Sequence, residues 1–138
     1  MPASNAKLIK GLNEALSLEY STIVRCQTWA ASVGGFLGAQ FAGRLRAMAA
    51  EELPHAQQLS DRIVRLGGVP HVVIETVRPL YDLDDVLRAL LEEERRAVAL
   101  YRKLFSQISK KDLILWETIE HIFEDELRHL EELEQLVG

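Results

Sequence analysis

Two short stretches of this 138-residue chain repeat one pair of side chains. EELPHA, residues 51–56, holds Glu52 and His55, and EDELRH, residues 124–129, holds Glu126 and His129. Residues three apart share one face of an α-helix, so each E-x-x-H presents a carboxylate and an imidazole together. Oxygen and nitrogen donors of this kind suit iron or manganese, and the lack of thiolate ligands disfavours an iron–sulfur cluster. Both pairs interrupt apolar stripes: Glu52 and His55 fall between Met48 and Leu59, and Glu126 and His129 between Ile122 and Leu133. Two more acids do the same, Glu19 between Leu16 and Ile23 and Glu94 between Leu90 and Val98. Six ionisable side chains therefore point inward, four of them carboxylates. Even one ionised, unpaired carboxylate in an apolar core costs several kcal/mol. Two histidines cannot balance four such charges, whereas a bound pair of metal ions can. The structural alternative is a layer of protonated, hydrogen-bonded side chains that only fixes the register of a helix bundle.

The spacing repeats as well. Glu52 follows Glu19 by 33 residues, with His55 three further on; Glu126 follows Glu94 by 32, with His129 three further on. One helical-hairpin pattern thus occurs twice, offset by about 75 residues. In each hairpin the two acids are nearly equidistant from the turn, which puts both about 25 Å down the bundle at a rise of about 1.5 Å per residue. All six side chains are expected in one layer.

Glycine and proline are sparse, so the elements that carry this layer must be long. Breaks fall at VGGFLG (33–38), GGVPHVVIETVRPLYD (67–82) and SQISKKD (106–112). Between them the 3.6-residue apolar period predicts helices over about 4–32, 38–66, 83–106 and 112–137. The first stripe runs through Leu8, Leu12, Leu16, Ile23 and Ala30, and the second through Leu45, Met48, Leu59, Ile63 and Leu66. Leu87, Leu90, Val98, Tyr101 and Phe105 form the third, and Leu115, Ile119, Ile122, Leu133 and Leu136 the fourth. The second stripe keeps its phase across Pro54, which predicts one kinked helix, although an interior proline costs about 3 kcal/mol and leaves the Ala50 carbonyl without its helical bond. Asp82 or Asp84 is placed to cap the third helix. The first and third connections are short, so the helices that they join are antiparallel neighbours. The second, of about 15 residues, reaches about 50 Å when extended, against about 42 Å for a helix of about 28 residues, so it can run the length of the bundle. The expected fold is all-α: an antiparallel four-helix bundle with one long crossover between helices 2 and 3, in a single domain over residues 1–138. The apolar run of the crossover, Val69, Val72, Val73, Ile74 and Val77, is expected to be buried, either along the bundle or against another subunit.

Composition narrows the functions. A hydrophobic fraction of 48% over this length suffices for a core without disulfides, and the single Cys26 excludes both an internal disulfide and a four-cysteine metal module. No apolar run approaches the length of a membrane span, and MPASNAKLIK lacks the apolar stretch of a signal peptide, so a cytoplasmic protein without a membrane partner is expected. A net charge of −5, with the basic residues scattered among acids, weighs against nucleic acid as a partner.

From LNEALSLEY at 12–20 to LRHLEEL at 127–133 the chain resembles the ferritin-like di-iron carboxylate superfamily, and within it the bacterioferritins. In that class two helices give one glutamate each and the other two give Glu-x-x-His. The resemblance implies that Glu19, Glu52 and His55 ligate one iron and Glu94, Glu126 and His129 the other, with Glu52 and Glu126 as bridges. It makes the same six the candidate catalytic residues. It implies two irons per chain, with manganese as the alternative, and oxidation of Fe(II) by O2 or H2O2 linked to iron storage or peroxide detoxification. A rubrerythrin-like peroxidase or di-iron oxygenase with a permanent centre is the second implied function, and a non-catalytic metal-binding bundle the third. A homo-oligomer, at least a dimer, is expected, with an electron donor or an encapsulating partner as further candidates. The chain also departs from the family pattern. Leu53 stands where bacterioferritins carry the haem-ligating methionine, so no haem is expected, and the chain stops at Gly138 before the short fifth helix of cage-forming members, which argues against their 24-subunit shell. Cys26 stands where many of them have a tyrosine, whereas Tyr101 holds the matching place after Glu94.

Several neighbouring residues read more plainly. Glu92 and Glu93 fit a solvated face, because only Glu94 of that run shares the stripe. His121 lies about 140° around its helix from Glu126, on the surface at about 100° per residue. His71 follows Pro70 in the crossover and reads as structural or exposed. Cys26 and Tyr101 fit the core, Tyr101 also the outer sphere of the metal site. Asp125 and Glu51 each precede a candidate ligand glutamate and are placed to orient a histidine of a neighbouring helix.

Overall fold

The computed structural model describes residues 3–138. It consists of α1 (Ala3–Ser32), α2 (Gly35–Arg65), α3 (Leu83–Gln107) and α4 (Leu113–Val137). Among the described residues there is no strand, and no helix is long and apolar enough to cross a membrane. The four helices form the expected bundle, with α1 against α2, α3 against α4, and α1 also against α3.

The first turn is tighter than the glycines suggested. Only Val33 and Gly34 lie outside helix, because an extended Gly34 leads directly into Gly35 at φ +79, a left-handed conformation that costs glycine little. Phe36 and Leu37 therefore belong to the first turn of α2. Pro54 lies inside α2, which continues through it as one helix. At the far end, Gly67 (φ +88) and Gly68 close α2 with backbone donations from Gly67 to Val64 O (3.0 Å) and from Gly68 to Ile63 O (2.9 Å). This is a Schellman ending, which satisfies two carbonyls the last turn would leave open. A Cβ on Gly68 would stand 2.7 Å from Ile9 Cγ2, so a side chain there would displace α1. Asp82, not Asp84, caps α3: its side chain accepts from the Asp84 N–H at 2.8 Å.

The crossover lies on α1 in extended form. His71, Val73 and Glu75 donate backbone N–H groups to Asn13 Oδ1 (2.7 Å), Ser17 Oγ (3.0 Å) and Ser21 Oγ (3.1 Å). The match is metric, since two residues of extended chain advance about 6.6 Å and four residues of helix about 6 Å. The ladder continues upward: Trp29 Nε1 donates to Arg78 O (2.8 Å) and Ser32 Oγ to Leu80 O (2.7 Å). The crossover thus runs parallel to α1 for its whole length, which returns the chain to the top of the bundle and makes α3 parallel to α2. Of its apolar residues Val77 and Leu80 pack on this chain's core, whereas Val69, Val72, Val73 and Ile74 are exposed at 77%, 39%, 59% and 49%. Burial along the bundle therefore fails for these four.

Arg25, one more turn along the same ladder, is buried under the crossover and donates to Glu93 Oε2 at 3.1 Å, with Glu75 Oε1 at 3.7 Å. Glu93 is thus half-buried and paired, not simply solvated, because it faces the cation that the ladder brings inward; Glu92 is exposed as its place off the stripe implies. Leu136 is also exposed, past the point where α4 has partners.

The core comes in two parts. Leu12, Leu16, Leu59, Ile63, Tyr101, Leu104, Ile119 and Ile122 belong to the lower cluster, and Cys26, Trp29, Leu45, Met48, Val86, Leu90 and Leu133 to the upper. The layer between them holds the polar side chains that broke the stripes.

Candidate metal centre

All six residues meet there. Glu19 from α1, Glu52 and His55 from α2, Glu94 from α3, and Glu126 and His129 from α4 are buried, none more than 9% exposed. The atoms able to ligate a metal form two groups, Glu19–Glu52–His55–Glu126 and Glu94–Glu126–His129, and within each group they lie within 4.8 Å of one another. Glu126 is common to both. Its Oε1 lies 3.1 Å from His55 Nδ1 and its Oε2 3.6 Å from His129 Nδ1. Glu52 spans the same two rings in mirror fashion, Oε2 at 3.6 Å from His55 Nδ1 and Oε1 at 3.0 Å from His129 Nδ1.

Both imidazoles turn Nδ1 into the layer and Nε2 outward. His55 Nε2 meets Asp125 Oδ2 at 2.9 Å, and His129 Nε2 meets Glu51 Oε2 at 2.8 Å. Each of these acids precedes a layer glutamate on the facing helix, the relation that the sequence suggested. Arg44 secures the second of them, with Nη1 2.9 Å from Glu51 Oε1, while Nε and Nη2 grip Glu132 at 2.7 and 2.6 Å. The role of Arg44 was not legible in its sequence neighbourhood, because the partner Glu132 is 88 residues away.

Tyr101 is fully buried and donates its hydroxyl to Glu19 Oε1 at 2.5 Å. Cys26 is buried without such a contact, and burial, then Glu52, pushes its thiol up to about 12. His121 stays on the surface, its side chain 63% exposed and 3.6 Å from Asp125, and His71 is exposed in the crossover.

Electrostatics in the layer are those of charges without a counterion. Burial raises the carboxyl groups of Glu19, Glu52 and Glu94 above their ordinary value, and neighbouring carboxylates add to it. The same burial acts against the imidazolium of both histidines. It is outweighed by Glu126, Glu19 and Glu52 at His55, which is held far above its ordinary value, and by Glu126 and Glu52 at His129, which rises to about 11. Protons therefore do here what a cation would do. Even so, Glu19 Oε2 and Glu94 Oε1 are buried with no hydrogen-bond partner. Buried polar atoms are rarely left unpaired, so two open carboxylate oxygens among oxygen and nitrogen donors fit a pair of hard or intermediate cations.

Residues 9–138 match the Ferritin family, described as a ferritin-like domain. The bacterioferritin of Brucella melitensis is 29% identical over 132 residues, covering 93% of this chain and 81% of that one. A ferritin-like di-iron carboxylate protein of Bacillus anthracis has the same fold over the whole of both chains, with a TM-score of 0.93 and 29% identity. The bacterioferritin-related dodecameric thioferritin of Bacteroides fragilis superposes with a TM-score of 0.87 at 28% identity, over 95% of this chain and 84% of that one. Four helices with this crossover, a carboxylate–histidine layer at mid-height and matches over almost the whole chain lead to one assignment: the chain belongs to the ferritin-like domain family, close to the bacterioferritins.

Proposed function

We propose that Glu19, Glu52, His55, Glu94, Glu126 and His129 bind two iron ions, and that the protein oxidises Fe(II) with O2 or H2O2 in iron storage or peroxide detoxification. The observation that carries this is the pair of ligand groups joined at Glu126. A layer that only fixed bundle register would have no reason to leave two carboxylate oxygens unpaired. Manganese satisfies the same donors.

In this reading Glu19 with His55 would hold one ion and Glu94 with His129 the other, and Glu52 and Glu126, which each face both rings, would be shared between them. An ion would take the place of the Nδ1 protons, while Asp125 and Glu51 would go on accepting from the Nε2–H groups and so hold the rings in position. Two ferrous ions give one electron each, reducing O2 with two protons to H2O2, or H2O2 with two protons to two waters. The apolar clusters above and below keep bulk water from the layer.

Assembly belongs to the same proposal. The exposed apolar crossover needs a cover, and a second copy of the chain, at least, supplies it. The Bacteroides fragilis relative, a dodecamer, accords with this.

Elemental analysis after anaerobic Fe(II) loading is expected to give two ions per chain, and one or none would reject the site. In an aerobic Fe(II) titration, Glu94→Ala is expected to abolish rapid oxidation, because one ion loses a terminal ligand. Oxidation at the wild-type rate would refute the assignment. Uptake that stops near two irons per chain, with turnover of a second substrate, would favour a peroxidase or oxygenase.

A further inference from the structure

The two halves of the layer repeat in sequence but not in their surroundings. Glu19 and Glu94 are equivalent in the two hairpins, and so are Cys26 and Tyr101, each seven residues later. Tyr101 on α3 crosses to α1 and donates to Glu19 Oε1 at 2.5 Å. Its counterpart Cys26 makes no such bond to Glu94; each glutamate keeps one buried oxygen without a partner, Glu19 Oε2 and Glu94 Oε1, so the difference lies in the phenol bond to the other oxygen of Glu19. Exposure differs in the same sense: Glu19 and His55 are 2% and 3% exposed, Glu94 and His129 7% and 9%. The ligand groups do too, four residues around His55 against three around His129. A surface depression of about 290 Å³ reaches His129 and Glu51 and leaves out His55.

We propose that Tyr101 makes the two metal positions unequal: the Glu19–His55 position is the tight one, filled first and retained, and the Glu94–His129 position is the weak, exchangeable one. The inference rests on the metal-binding reading above. Its physical basis is preorganisation. A carboxylate whose second oxygen already accepts a buried phenol bond is held in place before the ion arrives, so less ordering cost falls on binding. Glu94, though buried, has no phenol bond, so more of its ordering falls to the ion. Tyr101 is thus a positioning residue that acts through Glu19. The internal duplication built two similar half-sites, and the Cys26/Tyr101 difference separates them. The weak position is also the one next to the depression, which Arg44, Glu51, Asp125, Arg128 and Glu132 line.

The test is a Co(II) titration of metal-free protein, read by the visible absorption of the bound ion and by calorimetry, neither of which needs turnover. Wild type is expected to bind in two steps of one ion each. His129→Ala should remove the weak step and keep the tight one, and His55→Ala the reverse. Tyr101→Phe keeps the buried ring and removes only the hydroxyl; it should weaken the tight step by about 10- to 100-fold, leave the weak step in place and so merge the two. Two ions bound with equal affinity by wild type would overturn the inequality and leave the two-metal reading standing. So would a Tyr101→Phe protein with the tight step unchanged or with both steps weakened alike, or a His129→Ala protein that loses the tight step. A wild-type protein that binds no Co(II) would overturn both.

Discussion

Asp125 and His55 meet across the interface of α2 and α4, with Oδ2 of the acid 2.9 Å from Nε2 of the ring. Glu51 and His129 repeat the relation in the opposite direction at 2.8 Å. Each helix thus supplies a candidate ligand histidine and an acid that hydrogen-bonds the other helix's histidine. Asp125→Ala or Glu51→Ala is expected to weaken metal binding by about 10- to 100-fold without loss of helix content. Competition with a chromophoric chelator measures this, and wild-type affinity in both variants would remove the orienting role.

The pH dependence of the metal-free protein follows from the layer. Glu94 is raised above its ordinary 4.5, so above that pH the folded state holds a proton that the unfolded chain has lost, and stability declines. His129 is raised from 6.5 to about 11, so its contribution is complete below 6.5 and is lost as pH climbs through about 11. Both act in one direction. Thermal unfolding of metal-free protein is therefore expected at progressively lower temperature from pH 5 upward, and Glu94→Gln should flatten the trend. Metal ions bind the deprotonated ligands, so a loaded sample should instead be stabilised more as pH rises to neutrality. A metal-free melting temperature that rises with pH would contradict the account.

The exposed crossover predicts the site of self-association. Replacing Val72 and Ile74, 39% and 49% exposed, by aspartate is expected to shift the sedimentation of the protein to smaller species while the metal content per chain is kept. An assembly unaffected by both charges would place the subunit contact elsewhere.

Leu53 is 43% exposed on α2 and has only hydrocarbon to offer where a haem ligand needs a sulfur lone pair. Protein expressed with excess haem precursor is expected to show no Soret band. A stoichiometric bis-methionine haem spectrum would overturn this.

The repeat of E-x-x-H, the glutamates 32 and 33 residues upstream and the length of the crossover were enough to set the topology and to bring six side chains to one level. Such relations are periodic, and a helix converts sequence spacing into depth and direction almost without tertiary help. Asp125 and Glu51 were legible for the same reason, since each is one residue from a candidate ligand. Helix ends were less so: VGGFLG looked like a six-residue break, yet two of its residues suffice once Gly35 takes a positive φ. The tertiary structure alone decided that Arg25 is buried and Arg44 half-buried, and whom they pair with. Arg25 with Glu93 and Arg44 with Glu132 are contacts between residues 68 and 88 apart, and no local period encodes them. It alone also broke the symmetry of the duplicated hairpins. Tyr101 and Cys26 occupy equivalent places in the sequence, but only a side chain long enough to cross from one helix to the next can reach a glutamate there, and that reach depends on the distance between packed helices.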